Sequence, residues 1–177
     1  MSPNSAIVRT SRAEDGDAIL RLVLAAFSAV DHDGREEVEI VTATWELGAT
    51  ALDLELVAVD DGAIVGHVLA AWGELGGREV VAVAPLAVSP SHQGLGIGTA
   101  LMTELLHRAE AAGLPLIVLL GNPGFYGRFG FEPSGPLRMA YRAVGEGNPH
   151  FQVRRFGGYD ESYRGDFNYC WESKPGE

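Results

Sequence analysis

The sequence predicts an α/β (α+β) fold: a mixed, mostly antiparallel central sheet of about seven strands with helices on both faces. Three observations predict it. Between Leu54 and Val88, strand-like runs are separated only by short turns, the pattern of an antiparallel meander. The apolar run Val80 to Val88 then passes through a glycine-rich loop into helical periodicity, and Leu116-Ile-Val-Leu-Leu120 follows as a short, continuously apolar strand. Strand, helix, strand asks for a right-handed parallel crossover. Finally, two helical stripes precede the meander. The predicted order is β-α-α-β-β-β-α-β-α-β-β, and residues 1–177 read as one domain, long enough to bury a core, with no internal repeat or linker.

Ile7-Val-Arg9 reads as the first strand. Ser11-Arg-Ala-Glu14 matches a capping box, in which Ser and Glu satisfy each other's free backbone N–H groups. Behind it, Ile19, Leu22, Val23, Ala26 and Phe27 form one stripe of a helix ending near Phe27. Asp31-His-Asp-Gly34 breaks that helix, and a second runs from Arg35 to Leu47, burying Val38, Val41 and Trp45 and stopping at Gly48. Leu54 to Val59 is a strand; Asp60-Asp-Gly62 supplies a tight hairpin turn; Ala63 to Trp72 returns. Gly73 to Gly77 is the next turn, and Glu79 to Val88 the third strand of the meander. The following helix carries Leu101, Met102, Leu105 and Ala109 on one face and ends near Ala112, with Gly113 as cap. After Pro136, Leu137 to Ala143, Phe151 to Arg154 and Asp166 to Trp171 read as strands, and Ser173 to Glu177 as a loose end.

Composition narrows the function. Hydrophobic residues are 46% and charged residues 21%, ordinary for a globular chain. A net charge of −11 repels nucleic acid and anionic membrane and attracts cations. The late arginines (Arg138, Arg142, Arg154, Arg155, Arg164) lack regular spacing and read as surface. The single cysteine, Cys170, excludes an intramolecular disulfide, fits a reducing compartment and reads as a small packed side chain. The N-terminus lacks a signal-peptide pattern and no apolar run reaches membrane-spanning length, so a cytoplasmic protein is expected. The five histidines are scattered and no cysteine pair exists, so no metal site is expected.

The chemistry concentrates in Leu86-Ala-Val-Ser-Pro-Ser-His-Gln-Gly-Leu-Gly-Ile-Gly-Thr-Ala100. Gly94, Gly96 and Gly98 stand where a strand hands over to a helix. Glycine there permits positive φ and close approach of a ligand, and the first helical turn offers unpaired N–H groups to a phosphate. The dinucleotide fingerprint fails, because the sixth position is Thr99 counted from Gly94 and Leu101 counted from Gly96. The P-loop fails for want of a lysine. Gln93-x-x-Gly96-x-Gly98 fits instead, and it resembles the acyl-CoA loop of the GNAT superfamily of N-acetyltransferases. A second stretch, Gly121-Asn-Pro-Gly-Phe-Tyr-Gly-Arg-Phe-Gly-Phe131, resembles the same superfamily, with Tyr126 followed by Gly130-Phe131 on a short helix after the fifth strand. It is similar to a branch of predicted N-acetyltransferases in which Gly-Asp/Asn-Pro and Arg-Phe-Gly-Phe occur together. It departs from the commoner version, whose Asn stands further ahead of the Tyr than Asn122 does.

The resemblance implies acetyl transfer from acetyl-CoA to a primary amine of a small molecule or peptide, by direct attack in a ternary complex without metal. It assigns acyl-CoA binding to Leu86, Ala87 and Val88, to Gln93, Gly94, Gly96, Ile97, Gly98 and Thr99, and to Asn122 and Tyr126. The Val88 N–H would face the thioester carbonyl. Tyr126 would be the general acid for the leaving thiolate, since a phenol stays protonated at pH 7; the alternative is a packed aromatic beside Phe125 and Phe129. The resemblance also implies a hairpin of the last two strands beside the acceptor site, and a homodimer. No base is assigned: Glu79 lies at the wrong end of its strand, Glu74 in a turn, His67 mid-strand and His92 in the loop. Asp31, His32, Asp33, Glu36 and Glu37 read as a solvated charge run that would favour a cationic amine if it faced the cleft. The rivals are a non-catalytic acyl-CoA-binding sensor or interaction module and, third, a nucleotide-binding domain.

Overall fold

The computed structural model describes residues 5–29 and 32–172. Strand β1 (Ile7–Thr10) leads through one 3-10 turn into helix α1 (Gly16–Phe27), and α2 (Arg35–Glu46) follows. The meander is β2 (Thr50–Asp60), β3 (Ala63–Leu75) and β4 (Arg78–Val88). Then come α3 (Ile97–Ala111), β5 (Leu116–Leu120), the short α4 (Pro123–Tyr126), β6 (Phe151–Arg155) and β7 (Gly165–Tyr169). The sheet runs β1-β2-β3-β4-β5-β6, antiparallel except where β4 and β5 pair in parallel around α3.

Several boundaries differ from the sequence reading, each for a visible reason. The capping box lies one residue further on. Asp15 accepts from the Arg12 backbone N–H at 2.8 Å and is clamped by Arg9 at 2.7 Å, while the Ser11 hydroxyl is spent on Glu55 at 2.9 Å. Strand β3 continues past Trp72 to Leu75, because β7 pairs with Gly73 to Leu75. That pairing also removes the expected terminal hairpin. Strand β6 runs beside β5 and the Glu132–Pro133 bridge, whereas β7 crosses back to the edge of β3 that β2 leaves open. The expected strand over Leu137 to Ala143 reduces to the bridge Met139–Ala140, parallel to β7. Asp31 and the segment 173–177 lie outside the described residues.

The core is built on both faces of the sheet. Leu101, Met102, Leu105 and Ala109 of α3 bury against Leu56, Ala58, Val68, Ala70, Val81 and Val83. Gly66 lets that helix sit close, since a Cβ there would stand 2.7 Å from the Ile97 side chain. On the other face, Ile19, Val23 and Val41 of α1 and α2 cover Val57, Leu69 and Ala87. The rest of that face, over β4 to β6, is covered by Met139, Phe167 and Tyr169. Thus α2 and the C-terminal segment meet over the middle of one face, and their seam opens into a cleft. Among the described residues, no helix is long and apolar enough to cross a membrane.

Candidate acyl-transfer site

Strands β4 and β5 are paired in register at Val81, Ala82 and Val83, opposite Ile117, Val118 and Leu119. Beyond Val83 they part. Between Val68 and Ala70 the β3–β4 register shifts by one residue, placing an extra residue in β4 around Ala84-Pro85. Pro85 has no N–H to give a neighbour, and the bulge reverses the alternation, so that Val83, Leu86 and Val88 all pack toward α3 while Ala87 packs toward α1.

The hydrogen-bond phase of the last β4 residues follows from one contact. Ser89 N–H donates to the Val65 carbonyl at 2.9 Å, so Ser89 and, by alternation, Ala87 turn their backbone groups toward β3. Leu86 and Val88 therefore turn theirs the other way, into the gap left by β5. The Val88 carbonyl is met there by Gln93 Nε2 at 3.2 Å. Ala87 is a correction to the sequence reading: it is 1% exposed, faces the wrong neighbour and does not line the cleft.

At the loop, Gly96 caps α3 with φ 82° and Gly94 adopts φ 76°. Both are left-handed conformations that glycine takes without penalty, and a Cβ at either would meet nothing within 4 Å. The space over the first turn of α3 is open. Gly98 lies inside the helix, where a Cβ would make an ordinary 3.5 Å contact with Phe125. Gln93, Gly94, Gly96, Ile97, Gly98 and Thr99 all line the cleft. His92 also lines it, and its ring is held by the Ser91 hydroxyl at 2.8 Å and by Asp60 at 3.5 Å.

Across the gap, Asn122 caps α4, its side chain accepting from Gly124 N–H at 2.8 Å. Its oxygen is thus engaged locally although the residue borders the cleft. Tyr126 stands edge-on to Phe125 at 4.9 Å and to Phe131 at 5.9 Å. Gly121 makes room for it: a Cβ there would lie 2.3 Å from the Tyr126 ring. The Tyr126 hydroxyl makes no hydrogen bond among the described residues, and burial pushes the phenol up to about 12. The residue is both packed and presented to the cleft, so the two readings of Tyr126 are compatible.

The cleft, about 1350 Å³, continues past Tyr126 to a second end that the sequence reading did not assemble. Its walls are Phe27 of α1, Glu36, Glu39 and Ile40 of α2, and Tyr141, Tyr169, Trp171 and Glu172 from the C-terminal segment. Trp171 stacks on Tyr169 at 4.3 Å and Tyr141 stands edge-on to Tyr169 at 5.4 Å. Glu172 is held from two sides, by the Tyr141 hydroxyl and by the Tyr169 backbone N–H at 2.8 Å. Of the expected charge run, Glu36 and Glu37 border the cleft, but Glu37 is engaged with His32 at 2.8 Å, and His32 and Asp33 stand outside it. His67 is fully buried under α1 and α2, bonded to Glu55 at 2.9 Å, away from the cleft. Cys170 is half-buried, and burial raises its thiol.

Comparison with known proteins agrees with this geometry. The family model described as "Acetyltransferase (GNAT) family" matches residues 17–131. The chain is 36% identical over 107 residues to the Escherichia coli K12 protein named "Uncharacterized N-acetyltransferase YhbS", an alignment covering 59% of this chain and 64% of that protein. The chain therefore spans somewhat under two thirds of that relative's length. Among solved structures, it superposes on a GNAT family acetyltransferase from Brucella melitensis in complex with acetyl-CoA, with TM-score 0.77 and 32% identity, covering 95% of this chain and 98% of that one. It superposes on the E. coli YhbS complex with CoA with TM-score 0.82 and 29% identity, covering 97% and 93%.

Proposed function

The chain belongs to the acetyltransferase (GNAT) family, and from that premise we propose that it transfers an acetyl group from acetyl-CoA to a primary amine. The observation that carries the reading is the β4–β5 splay. It leaves the Leu86 and Val88 backbone groups facing an open gap that leads to the left-handed Gly94 and Gly96. An extended amide chain ending in a pyrophosphate matches that sequence of surfaces: strand-like pairing first, then helix-terminal N–H groups. The binding of acetyl-CoA and CoA by the two solved relatives supports the same donor here.

In this reading the Val88 N–H donates to the thioester carbonyl as negative charge develops on its oxygen. The amine, neutral after losing one proton to solvent or to a group of the cleft, forms the new C–N bond while the C–S bond breaks. The second N–H proton, shed as the amide forms, passes to solvent and replaces the proton given to the sulfur. Tyr126 stands opposite and donates its phenolic proton to, or hydrogen-bonds, the departing sulfur. A phenol pushed up to about 12 stays protonated through the physiological range, which is the state a donor needs. Gln93 ties the loop to the end of β4 and so keeps the gap and the glycine turn in register.

The test is release of free CoA thiol from acetyl-CoA in the presence of a mixed pool of primary amines. Amine-dependent thiol release, with acetylated amine identified by mass, is the expected result. Saturable acetyl-CoA binding without turnover of any amine in the pool would favour the rival, an acyl-CoA-binding module without catalysis.

A further inference from the structure

The far end of the cleft differs in charge from the donor end, and the difference bears on which amine is acetylated. Four carboxylates border it: Glu36, Glu37 and Glu39 on the first turns of α2, and Glu172 on the C-terminal turn that packs against α2. Glu37 is engaged with His32 at 2.8 Å, but among the described residues Glu36, Glu39 and Glu172 take part in no ion pair. The arginine at the cleft, Arg128, belongs to the 3-10 turn that follows α4 at the donor end, where it lies over the Phe125 ring at 4.7 Å. Glu172 is not a freely rotating surface group. The Tyr141 hydroxyl and the Tyr169 N–H hold its two oxygens beside the Tyr169–Trp171 stack.

We propose that the acceptor end of this cleft selects an amine carrying a second positive charge, a linear di- or polyamine, with Glu172 as the specificity-determining residue and the Tyr141–Trp171 aromatic wall covering its methylene chain. The proposal rests on the acetyl-transfer reading above. An ammonium group pairs with a carboxylate and packs well on an aromatic face, whereas an anionic or zwitterionic amine would meet uncompensated like charge. Burial, the bond to Glu172 and the nearby Glu36 charge all push the Tyr141 phenol up, so Tyr141 remains the donor that fixes Glu172. The overall charge of −11 adds long-range attraction for such a substrate.

The experiment compares, on the full chain, kcat/KM for 1,6-diaminohexane, n-hexylamine and 6-aminohexanoate at saturating acetyl-CoA, with acetyl-CoA binding measured separately by thermal shift. The expected order is diamine over monoamine by roughly tenfold, the equivalent of one charge-assisted contact. The anionic amine comes last, and the diamine advantage shrinks as salt is raised. Glu172→Gln keeps an acceptor for Tyr141 and should cut the ratio of diamine to monoamine kcat/KM several-fold through KM rather than kcat. Glu39→Gln, which disturbs no hydrogen bond among the described residues, should cut it less. Equal use of the three amines, an anionic preference, or an unchanged ratio in Glu172→Gln would overturn the proposal, as would acetyl-CoA binding with no turnover of any cationic amine. Absence of acetyl-CoA binding would instead overturn the acetyl-transfer reading on which it stands.

Discussion

The two ends of the cleft are made of different materials. In the proposed reading the donor end is backbone: the turned-out groups of Leu86 and Val88, the left-handed Gly94 and Gly96, and the opening turn of α3. The end proposed for the acceptor is side chain: Glu36, Glu39, Tyr141, Trp171 and Glu172, brought together from segments more than a hundred residues apart. A backbone site needs a particular spacing of glycine and a strand that ends on cue, so it leaves a local signature and suits a ligand shared by many proteins. A side-chain site carries no such spacing and is free to differ from one relative to the next. The molecule thus joins a generic half to an individual one.

Mutations can break that contrast in order of expected effect. Tyr126→Phe, at the boundary of the two halves, should lower kcat about a thousandfold while the acetyl-CoA affinity moves less than threefold, read by thiol release and by thermal shift. The rate profile of the unmodified protein should show no fall attributable to Tyr126 below about pH 11, because its folded value lies near 12 and the proton is kept up to that point. Gly96→Val should weaken acetyl-CoA binding about a hundredfold, since the helix cap would need a β-branched residue at φ 82° and the open space over the turn would be filled.

Glu55→Ala sharpens the contrast from outside the cleft. It leaves the buried His67, the Trp45 indole and Ser11 without their common acceptor, and should cost roughly 3 kcal/mol in denaturant unfolding with acetyl-CoA affinity retained. Burial alone would raise the Glu55 carboxyl, but the bonds from His67, Ser11 and Trp45 outweigh it and hold the group below its ordinary 4.5. Its contribution is therefore present above pH 4.5 and is lost as pH falls through the lowered folded value. Glu55→Gln should flatten that acid limb in urea melts. Gly98→Ala should have the smallest effect. Its Cβ fits at 3.5 Å from Phe125, so stability should rise by about 0.5 kcal/mol while acetyl-CoA binding weakens a few-fold if the donor approaches that turn.

How much of this was legible in the sequence follows the same division. The meander, the α3 stripe of Leu101, Met102, Leu105 and Ala109, and the buried β5 were readable because their periodicity is local. The capping box was misplaced by one residue because Glu55, forty-four positions away, claims the Ser11 hydroxyl. The length of β3 and the path of β7 were hidden for a related reason: each is set by the other, and no local pattern says that the last strand abandons β6 for Gly73 to Leu75. Ala87 was misread because strand phase decides which backbone groups face the gap, and that phase depends on the bulge at Ala84-Pro85. Glu172 and Tyr141 carried no signal at all, since a carboxylate and a phenol thirty-one residues apart become partners only once the final strand has turned back.

The most direct test of the account is a thermal-shift titration with acetyl-CoA, with NAD and ATP as controls, on the unmodified chain and on Gly96→Val. A ligand that binds only the native state raises the melting temperature with concentration. Acetyl-CoA should give a saturable rise and NAD and ATP little or none, and Gly96→Val should lose the rise with the fold retained. No shift with acetyl-CoA, or an equal shift with ATP or NAD, would contradict the account.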